Sequence, residues 1–282
     1  MSESTSQLAA AAARHWDLPA PQLLRRGSND VYTAGHDVLL RVGVPAHDFD
    51  SDLAIHEMLA AHGVRTPRPM ATYRGADSSA IVTAVEHVEQ VGMIEWSAVG
   101  SVVRRLHSVP VQGLDLPSCT TFAHWQFETV LSEVEALIDP VARVSIDRCL
   151  DRWSDWPSDA TRDVVFCHGD LHPGNVLNAV DGPVLIDLDL RCLAPVAWDH
   201  SALLTWEHRW NADPGTYAAF AAGYGTDLPD DRVGTEFAEL RLLAATLMRL
   251  RATVSNPAAR AEAELRLRWW RGDAEAPRWT PQ

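Results

Sequence analysis

The chain has 282 residues, of which 46% are hydrophobic, and its 38 acidic and 24 basic side chains give a formal net charge of -14 at pH 7. This length and composition can bury a sizeable core, in one large domain or in two lobes. The negative charge disfavours nucleic acid and anionic membranes as partners, because phosphate groups are bound by clustered basic side chains. It would favour a cationic small molecule, or it serves solubility alone.

The apolar run near the N-terminus, residues 8–13, is too short for a signal peptide or a membrane-spanning helix, so we expect a cytoplasmic protein. The cysteines are far apart and form no CxxC pair, which disfavours a zinc ribbon, a redox motif or a disulfide framework. We expect reduced, structural thiols at Cys119, Cys149, Cys167 and Cys192.

All 24 basic residues are arginine, so the sequence contains no lysine. This excludes a Walker A loop ending in Gly-Lys-Ser/Thr, and it excludes a Schiff-base lysine. Any phosphate clamp must therefore use arginine, whose fork binds oxygens in pairs.

The first part of the chain is predicted to be rich in strands. A helix is expected over residues 4–16, and alternating apolar positions predict three short antiparallel strands within 22–44. Apolar residues at helical spacing predict a helix over 48–62, which Gly63 would end as a C-cap. Two more strands are predicted at 68–74 and 79–87.

From residue 94 onward the apolar residues step by three and four, which predicts helices. Residues 164–190 are the exception, because short β-branched runs flank a loop there and predict a small strand-loop-strand unit. Further helices are predicted near 196–209, 214–224, 230–254 and 257–271.

The strand-loop-strand unit contains an ordered set of oxygen-bearing side chains. Phosphoryl transfer needs metal ions to neutralise charge and a group that orients the attacking hydroxyl. Asn175 and Asp187 offer the oxygen ligands that suit Mg²⁺, and Asp170 remains to orient the hydroxyl. Four residues separate Asp170 from Asn175, the interval found in the catalytic loop of protein kinases.

With these residues the chain resembles the aminoglycoside phosphotransferase family, over nearly its whole length. His168-Gly169-Asp170 with Asn175 is similar to the catalytic loop of the family, and Ile186-Asp187 is similar to its metal-binding strand end. The family shares the protein-kinase-like fold with choline, fructosamine and homoserine kinases. The resemblance implies an α+β, two-lobed fold, with a small β-rich N-lobe over residues 1–88 and a larger, mainly helical C-lobe over 89–282.

The resemblance also implies an enzyme that uses ATP or GTP with Mg²⁺ to phosphorylate a hydroxyl of a small molecule. The acceptor expected from family and charge is an aminoglycoside or another cationic antibiotic, which would make the protein a resistance factor. A kinase of a small metabolite on the same fold is the alternative, and a pseudokinase that binds nucleotide without turnover is another. A transition-metal site built from His168, His172 and Asp170 is a third, although it leaves Asn175 and Asp187 unexplained.

Residues around the catalytic loop receive supporting roles. His168 is expected to support the loop internally, and Asp199 is similar to the acidic residue that braces this loop in the family. Asp189 follows Asp187 by two residues, so it would lie on the same side and reach the metal if the segment is extended.

The small lobe is predicted to hold the nucleotide. Residues 27–32 are similar to the phosphate-covering turn of the family, and Arg41 and Glu57 occupy the positions of its strand-to-helix ion pair. An ordinary surface salt bridge contributing about 0–1 kcal/mol is the alternative for that pair. The adenine is expected at the end of the fifth strand. The predicted nucleotide-binding residues are Ser28, Asn29, Arg41, Glu57, Glu86 and Val88.

The acceptor residues are the least defined part of the sequence. Acidic side chains in the helical lobe would suit a polyamine, and tryptophans could stack on a sugar or simply pack the core. The acidic candidates are Glu207, Asp213 and Asp273.

Overall fold

A computed structural model of the chain describes residues 4–27, 29–75, 79–228 and 231–280. The chain divides into two compact units. Unit 1 comprises Met1–Glu95 and Pro173–Leu190, and unit 2 comprises Trp96–His172 and Arg191–Gln282. The predicted lobe boundary after residue 88 stays a prediction; unit 1 continues to Glu95 and takes in a segment from the predicted C-lobe.

The helices and strands follow one another along the chain in an order close to that predicted. The first part contains α1 Thr5–His15, β1 Gln22–Arg25, β2 Asp30–Thr33, β3 Val38–Gly43, α2 Phe49–Ala61, β4 Pro69–Arg74, β5 Ile81–Glu86 and α3 Trp96–His107. The middle part contains α4 Phe127–Val134, α5 Pro140–Arg152, α6 Trp156–Asp159, β6 Val165–Cys167, β7 Val176–Ala179, β8 Gly182–Leu185 and β9 Cys192–Ala194. The last part contains α7 Ala197–Arg209, α8 Thr216–Tyr224, α9 Arg232–Ala252 and α10 Arg260–Trp270.

Within the described residues, unit 1 contains a five-stranded antiparallel sheet in the order β1-β2-β3-β5-β4. Side chains of β3 alternate between buried and half-buried, as the two-residue period of a strand requires. Val38, Leu40 and Val42 point into a cluster that includes Leu8 of α1. Arg41 therefore lies on the face of the sheet opposite this cluster.

Helix α2 begins and ends as the sequence predicts. The side chain of Asp48 accepts a hydrogen bond from the backbone N–H of Ser51 at 2.9 Å and caps the first turn. Gly63 follows the helix with φ 68°, a conformation that glycine adopts without strain. Ile55 and Leu59, four residues apart, form the buried side of the helix.

Strands β7 and β8 form an antiparallel hairpin in unit 1, with Val176 opposite Leu185. The pairing continues past the strands, because the N–H of Ile186 donates to the carbonyl of Asn175 at 3.0 Å. The hairpin therefore brings Asn175 and Ile186 to its open end, and Asp187 follows directly.

Unit 2 is mainly helical and carries the short strand pair β6–β9. Trp125, Trp198 and Phe237 are fully buried in its core. The cysteines are free and buried, as predicted. Gly100 of α3 and Gly223 of α8 lie where two helices approach closely, since a Cβ at either position would collide with backbone of the other helix.

The mixed α+β fold, with a β-rich N-lobe and a mainly helical C-lobe, is confirmed. Among the helices of the described ranges, none is both long enough and apolar enough to cross a membrane.

Candidate active site

The loop His168-Gly169-Asp170 follows β6 in unit 2, and Asp199 at the start of α7 fixes its backbone. The carboxylate of Asp199 is fully buried and accepts the N–H of His168 at 2.8 Å and the N–H of Gly169 at 3.0 Å. Gly169 has φ 91°, a conformation that favours glycine. Two charge-assisted hydrogen bonds thus hold the turn that presents Asp170.

A buried chain of polar groups supports Asp199 from behind. His107, at the end of α3, contacts Asp199 through Nε2 at 3.1 Å and the hydroxyl of Tyr224 through Nδ1 at 2.9 Å. Burial raises the pKa of Asp199, but the hydrogen bonds and charges of His107 and His168 outweigh it and lower the pKa overall. Asp199 therefore remains an ionised acceptor for the loop.

The carbonyl of Gly169 is held by two donors from other helices. The indole N–H of Trp198 donates to it at 3.2 Å, and the guanidinium of Arg241 on α9 donates at 3.0 Å. Arg241 also donates to the carbonyl of Trp198 at 2.9 Å and to the Oγ of Ser201 at 2.8 Å, and it lies 4.9 Å from the Trp198 ring centroid. We did not anticipate Arg241, because it is one arginine among several on a long helix and no motif spacing marks it.

The side chain of Asp170 is 41% exposed. One carboxylate oxygen lies 3.5 Å from Nε2 of His172, and its backbone N–H donates to Nδ1 of His168 at 3.3 Å. Burial raises the pKa of Asp170, but His172, Arg241 and His168 together lower it well below its ordinary value. The carboxylate is therefore ionised at neutral pH and able to accept a proton or a hydrogen bond.

The two side chains predicted to bind metal, Asn175 and Asp187, lie at the open end of the β7–β8 hairpin in unit 1. Asn175 is buried, and Asp187 has φ 63°. A left-handed conformation at a residue other than glycine costs about 1–3 kcal/mol and is concentrated at functional sites. The strained backbone at Asp187 is typical of a residue whose side chain has a functional role.

Arg41 of β3 binds the carboxylates of this hairpin end. Its Nη2 donates to Asp187 at 3.1 Å and to Asp189 at 2.8 Å. Asn29 donates through its side-chain amide to Asp189 at 3.2 Å, and His47 contacts the carbonyl of Asp189 at 3.1 Å. The two carboxylates of Asp187 and Asp189 face the single guanidinium of Arg41, so the three side chains together keep a net negative charge. Carboxylate oxygens are also the ligand atoms that Mg²⁺ prefers.

In this region one condition for the role of Asp189 is not met, and one expected ion pair is not formed. The segment after Asp187 is not extended, because Asp187 is left-handed and Leu188–Leu190 form a short 3₁₀ turn. Asp189 nevertheless reaches the same guanidinium as Asp187. The Arg41–Glu57 ion pair is not formed within the described residues: position 57 is on the exposed side of α2, opposite the buried Ile55.

The other residues predicted to bind nucleotide, Ser28, Glu86 and Val88, lie in different surroundings. Ser28 lies outside the described residues. The carboxylate of Glu86 pairs with Arg65 at 3.2 Å and accepts the N–H of Arg68 at 3.2 Å. Val88 is buried in a small cluster with Ala179 and Val184, and further apolar side chains of the hairpin segment pack against it: Leu177 and Ile186.

The acidic acceptor candidates are mostly engaged elsewhere. Glu207 accepts the N–H of Tyr217 at 2.8 Å in the first turn of α8, and Asp273 accepts Nε of Arg268 at 2.7 Å. Asp213 is exposed between α7 and α8, and its backbone carbonyl accepts two bonds from Thr216.

The alternative metal site on His168, His172 and Asp170 is not among the metal-like clusters of the described residues. The cluster found there is His107, Cys167 and Asp199, which is fully buried and whose ligand atoms lie within 4.8 Å of one another. His107 and Asp199 already hydrogen-bond to each other at 3.1 Å, so this group is accounted for as loop support.

The chain is similar in sequence to a known protein family and to a curated protein. Residues 20–243 match the model of the phosphotransferase enzyme family. An aminoglycoside 3'-phosphotransferase from Streptomyces fradiae is 31% identical over 153 residues, which are 47% of this chain and 53% of the relative. The match therefore spans about half the length of that curated relative.

Solved structures agree on the fold. The GDP and kanamycin complex of APH(2")-IIia has a TM-score of 0.70 and 16% identity, covering 91% of this chain and 94% of that chain. The amicoumacin kinase complex with AMP-PNP, Ca²⁺ and Ami has a TM-score of 0.68 and 14% identity, covering 95% of this chain and 94% of that chain. At such identities the similarity establishes the fold.

Proposed function

Because the chain belongs to the phosphotransferase enzyme family, we propose that it transfers the γ-phosphoryl group of ATP or GTP to a hydroxyl of a small molecule. The observation that carries the proposal is the ionised, part-exposed carboxylate of Asp170 on a turn whose backbone Asp199 and Arg241 fix. Preorganised groups of this kind contribute to catalysis without reorganising during the reaction.

In this proposal Asp170 orients the acceptor hydroxyl and accepts its proton. The hydroxyl oxygen bonds to the γ-phosphorus as the bond from that phosphorus to its bridging oxygen breaks, which leaves ADP or GDP. His168 and Asp199 hold the loop, and the lowered pKa of Asp170 keeps its carboxylate ionised, so that it can orient the hydroxyl as a hydrogen-bond acceptor.

Mg²⁺ would be held by Asn175 and Asp187, with Asp189 nearby through their shared partner Arg41. The oxygen-only donor set and the excess negative charge of this group support that assignment. A bound Mg²⁺ would neutralise charge on the phosphate oxygens. Arg41 is the proposed phosphate contact, and its fork suits paired oxygens.

The nucleotide base is proposed to lie near Glu86 and Val88, where the apolar cluster of Val88 offers a dry surface. Asn29 would cover the phosphates; the same role for Ser28, outside the described residues, stays a prediction. Glu57, exposed on α2, would contribute only through a change of its side-chain position.

The first acceptors to test are hydroxylated antibiotics, because the relatives are named for phosphorylating or binding them. A role in resistance, and a cytoplasmic location, belong to this proposal. A kinase of a small metabolite on the same fold is the second candidate, since family membership is common to both.

The decisive experiment incubates the protein with Mg²⁺, ATP or GTP and a panel of aminoglycosides, other hydroxylated antibiotics, amino alcohols and sugars. Mass spectrometry should find one product heavier by a single phosphoryl group. Asp170→Asn should reduce its formation by about 10²–10⁴-fold, the range that general-base catalysis supplies. Asp151→Asn, an exposed carboxylate on α5, is the matched control.

Thermal unfolding, together with the product assay, distinguishes an active phosphotransferase from a pseudokinase that binds nucleotide without turnover. Mg²⁺-ATP at about 100 times its dissociation constant should stabilise the protein by roughly 2.7 kcal/mol. Stabilisation by nucleotide without any phosphorylated product across the whole panel would contradict the enzyme proposal.

A further inference from the structure

The carboxylate of Asp170 needs support that the backbone of its loop does not provide. Asp199 and Arg241 fix the turn that carries it, but they do so through backbone atoms of the loop. The carboxylate lies beyond the side-chain torsions of Asp170, and this side chain is 41% exposed. Exposed side chains change rotamer in picoseconds to nanoseconds, so a fixed turn by itself does not fix the direction of the carboxylate.

His172 contacts the carboxylate itself. Its Nε2 lies 3.5 Å from Oδ2 of Asp170, and its own side chain is 26% exposed. Burial raises the pKa of Asp170, and the hydrogen bond and charge of His172 are the largest of the influences that lower it. The neighbouring histidines act differently, because Nδ1 of His168 accepts the backbone N–H of Asp170 at 3.3 Å. Burial, helped by the charge of Arg241, lowers the pKa of His124 to about 4 and leaves that ring uncharged at neutral pH.

Trp206 of α7 restrains the ring of His172. The two rings are stacked, with centroids 5.4 Å apart and an interplanar angle of 22°. Trp206 is itself held against Trp210, with centroids 5.6 Å apart and an interplanar angle of 31°. Aromatic contacts at these separations are favourable beyond the area that they bury. The ring of His172 is therefore held in one orientation while its Nε2 faces Asp170.

Helix α7 supports the loop on both sides of Asp170. Asp199, in the first turn of the helix, accepts two backbone N–H groups of the turn that precedes Asp170. Trp206 follows Asp199 by seven residues, so the two side chains project from the same face of the helix. Trp206 contacts His172, which follows Asp170 in the chain. One helix face thus contacts the loop before and after the carboxylate.

We propose that His172 is a positioning residue that holds the carboxylate of Asp170 towards the acceptor hydroxyl, and that Trp206 acts through His172. The inference rests on the proposed function for the role of Asp170. Nε2–H of His172 donates to Oδ2 of the carboxylate, and the stack on Trp206 keeps this donor in place. The carboxylate is thereby oriented before the acceptor arrives, which is the condition for an efficient reaction geometry.

The experiment separates hydrogen-bond donation by His172 from packing of its ring. His172→Gln places an amide donor near the position of Nε2 but removes the ring, whereas His172→Phe keeps a ring on Trp206 and removes the donor. The probe reaction is transfer to water, measured as ADP release from Mg²⁺-ATP, because it needs no identified acceptor. His172→Phe should lower kcat by about 10–100-fold with little change in KM for ATP, and His172→Gln should keep at least about five times the kcat of His172→Phe. His208→Gln, an exposed histidine on α7, is the matched control and should leave kcat unchanged.

A double-mutant cycle tests whether Trp206 acts through His172. Trp206→Leu should lower kcat of the parent by about 3–10-fold, and Trp206→Phe, which keeps a ring, should lower it less. In the His172→Phe background, Trp206→Leu should have no further effect, because two residues that act through one contact are not additive. Circular dichroism and thermal unfolding of each variant verify that it folds.

Carboxyl ¹³C NMR of Asp170 gives a readout that needs neither nucleotide nor acceptor. The carboxyl group should titrate at higher pH in His172→Phe than in the parent, because His172 lowers its pKa. The other charged or titratable groups that act on Asp170 are the same in both proteins: Arg241 of α9, His168 and His124. His172→Gln should lie between the two, since it keeps a donor and loses the charge.

The inference is overturned if His172→Phe keeps as much kcat as His172→Gln, or if the Asp170 carboxyl titrates alike in the parent and in His172→Phe. Equal effects of Trp206→Leu in both backgrounds would remove Trp206 from the arrangement. A parent that releases no ADP and phosphorylates no compound of the panel would contradict the phosphotransferase proposal. The carboxyl titration would then decide by itself whether His172 holds Asp170.

Discussion

Replacing Arg241 should disable the loop that carries Asp170 while leaving the protein folded. Arg241 makes three hydrogen bonds of 2.8–3.0 Å, to the Gly169 carbonyl, the Trp198 carbonyl and the Ser201 hydroxyl. Hydrogen bonds from charged donors contribute about 1.5–3 kcal/mol each. Gly169 and Trp198 keep other donors for their carbonyls, so we expect Arg241→Gln to cost about 2–3 kcal/mol of unfolding free energy in total.

The effect on catalysis should be similar in free energy to the effect on stability. A displacement of about 1 Å at a catalytic group costs on the order of 100-fold in rate, which equals about 2.7 kcal/mol. We expect Arg241→Gln to lower kcat by about this factor with little change in KM for ATP. Arg241→Lys keeps the charge but loses the planar fork, so its kcat should lie between that of the parent and that of Arg241→Gln.

The pH profile distinguishes positioning from mere structural support. Arg241 helps to lower the pKa of Asp170, so its removal raises that pKa, and activity is lost at higher pH on the acidic side. The acidic limb should move upward in Arg241→Gln and stay in place in Arg241→Lys. Arg251→Lys, on the exposed side of α9, is the matched control.

Amide hydrogen exchange gives a readout that needs no acceptor. The N–H groups of His168 and Gly169 should exchange faster in both Arg241 variants, beyond any change at the core amide of Leu40 in unit 1. The reasoning is refuted if folded Arg241→Gln keeps kcat within twofold of the parent and leaves these two amides equally protected.

Three further predictions concern other parts of the chain. Gly100→Ala would bring its Cβ to 2.6 Å from the backbone nitrogen of Tyr224, so we expect a loss of about 3 kcal/mol in chemical denaturation, whereas Gly27→Ala should have little effect. Burial raises the pKa of Glu236 from 4.5 to about 7, so the free energy of unfolding should fall as pH rises through that interval. In Glu236→Gln the urea midpoint should depend less on pH over this range, and the free energy of unfolding above pH 7 should rise by up to roughly 3 kcal/mol. An unchanged dependence of the midpoint on pH would contradict the raised pKa of Glu236. Asp187→Asn should abolish the extra thermal stabilisation that Mg²⁺ adds to ATP, as EDTA should in the parent, and a retained Mg²⁺ effect would remove Asp187 from the metal site.

Local patterns predicted the elements of this fold well. The helix over 48–62 is α2, Phe49–Ala61, because its cap, its apolar spacing and its terminal glycine all act within a few residues. Asp170 and Asn175 were identified from a spacing that is readable without coordinates, and their catalytic and metal-binding roles stay predictions.

Long-range contacts were less predictable. Arg241 lies 72 residues from Gly169 along the chain, and nothing in the sequence of α9 identifies its partner. The partners of Arg41 were misassigned because they depend on the left-handed backbone at Asp187, which period-two reasoning does not anticipate. The carboxylate of Glu207 was read as available for a ligand, but it caps a helix that begins nine residues later.

Arg41 also decides which chemical probes can report on this protein. Nucleotide acyl phosphates label ATP sites by passing their acyl group to a deprotonated lysine amine. A guanidinium stays protonated because its pKa is above about 12; burial lowers the pKa of Arg41, but the carboxylates of Asp189 and Asp187 raise it further. With no lysine anywhere in the sequence, such reagents would leave the proposed nucleotide site unmarked, and arginine-directed dicarbonyl compounds are the reagents to use instead.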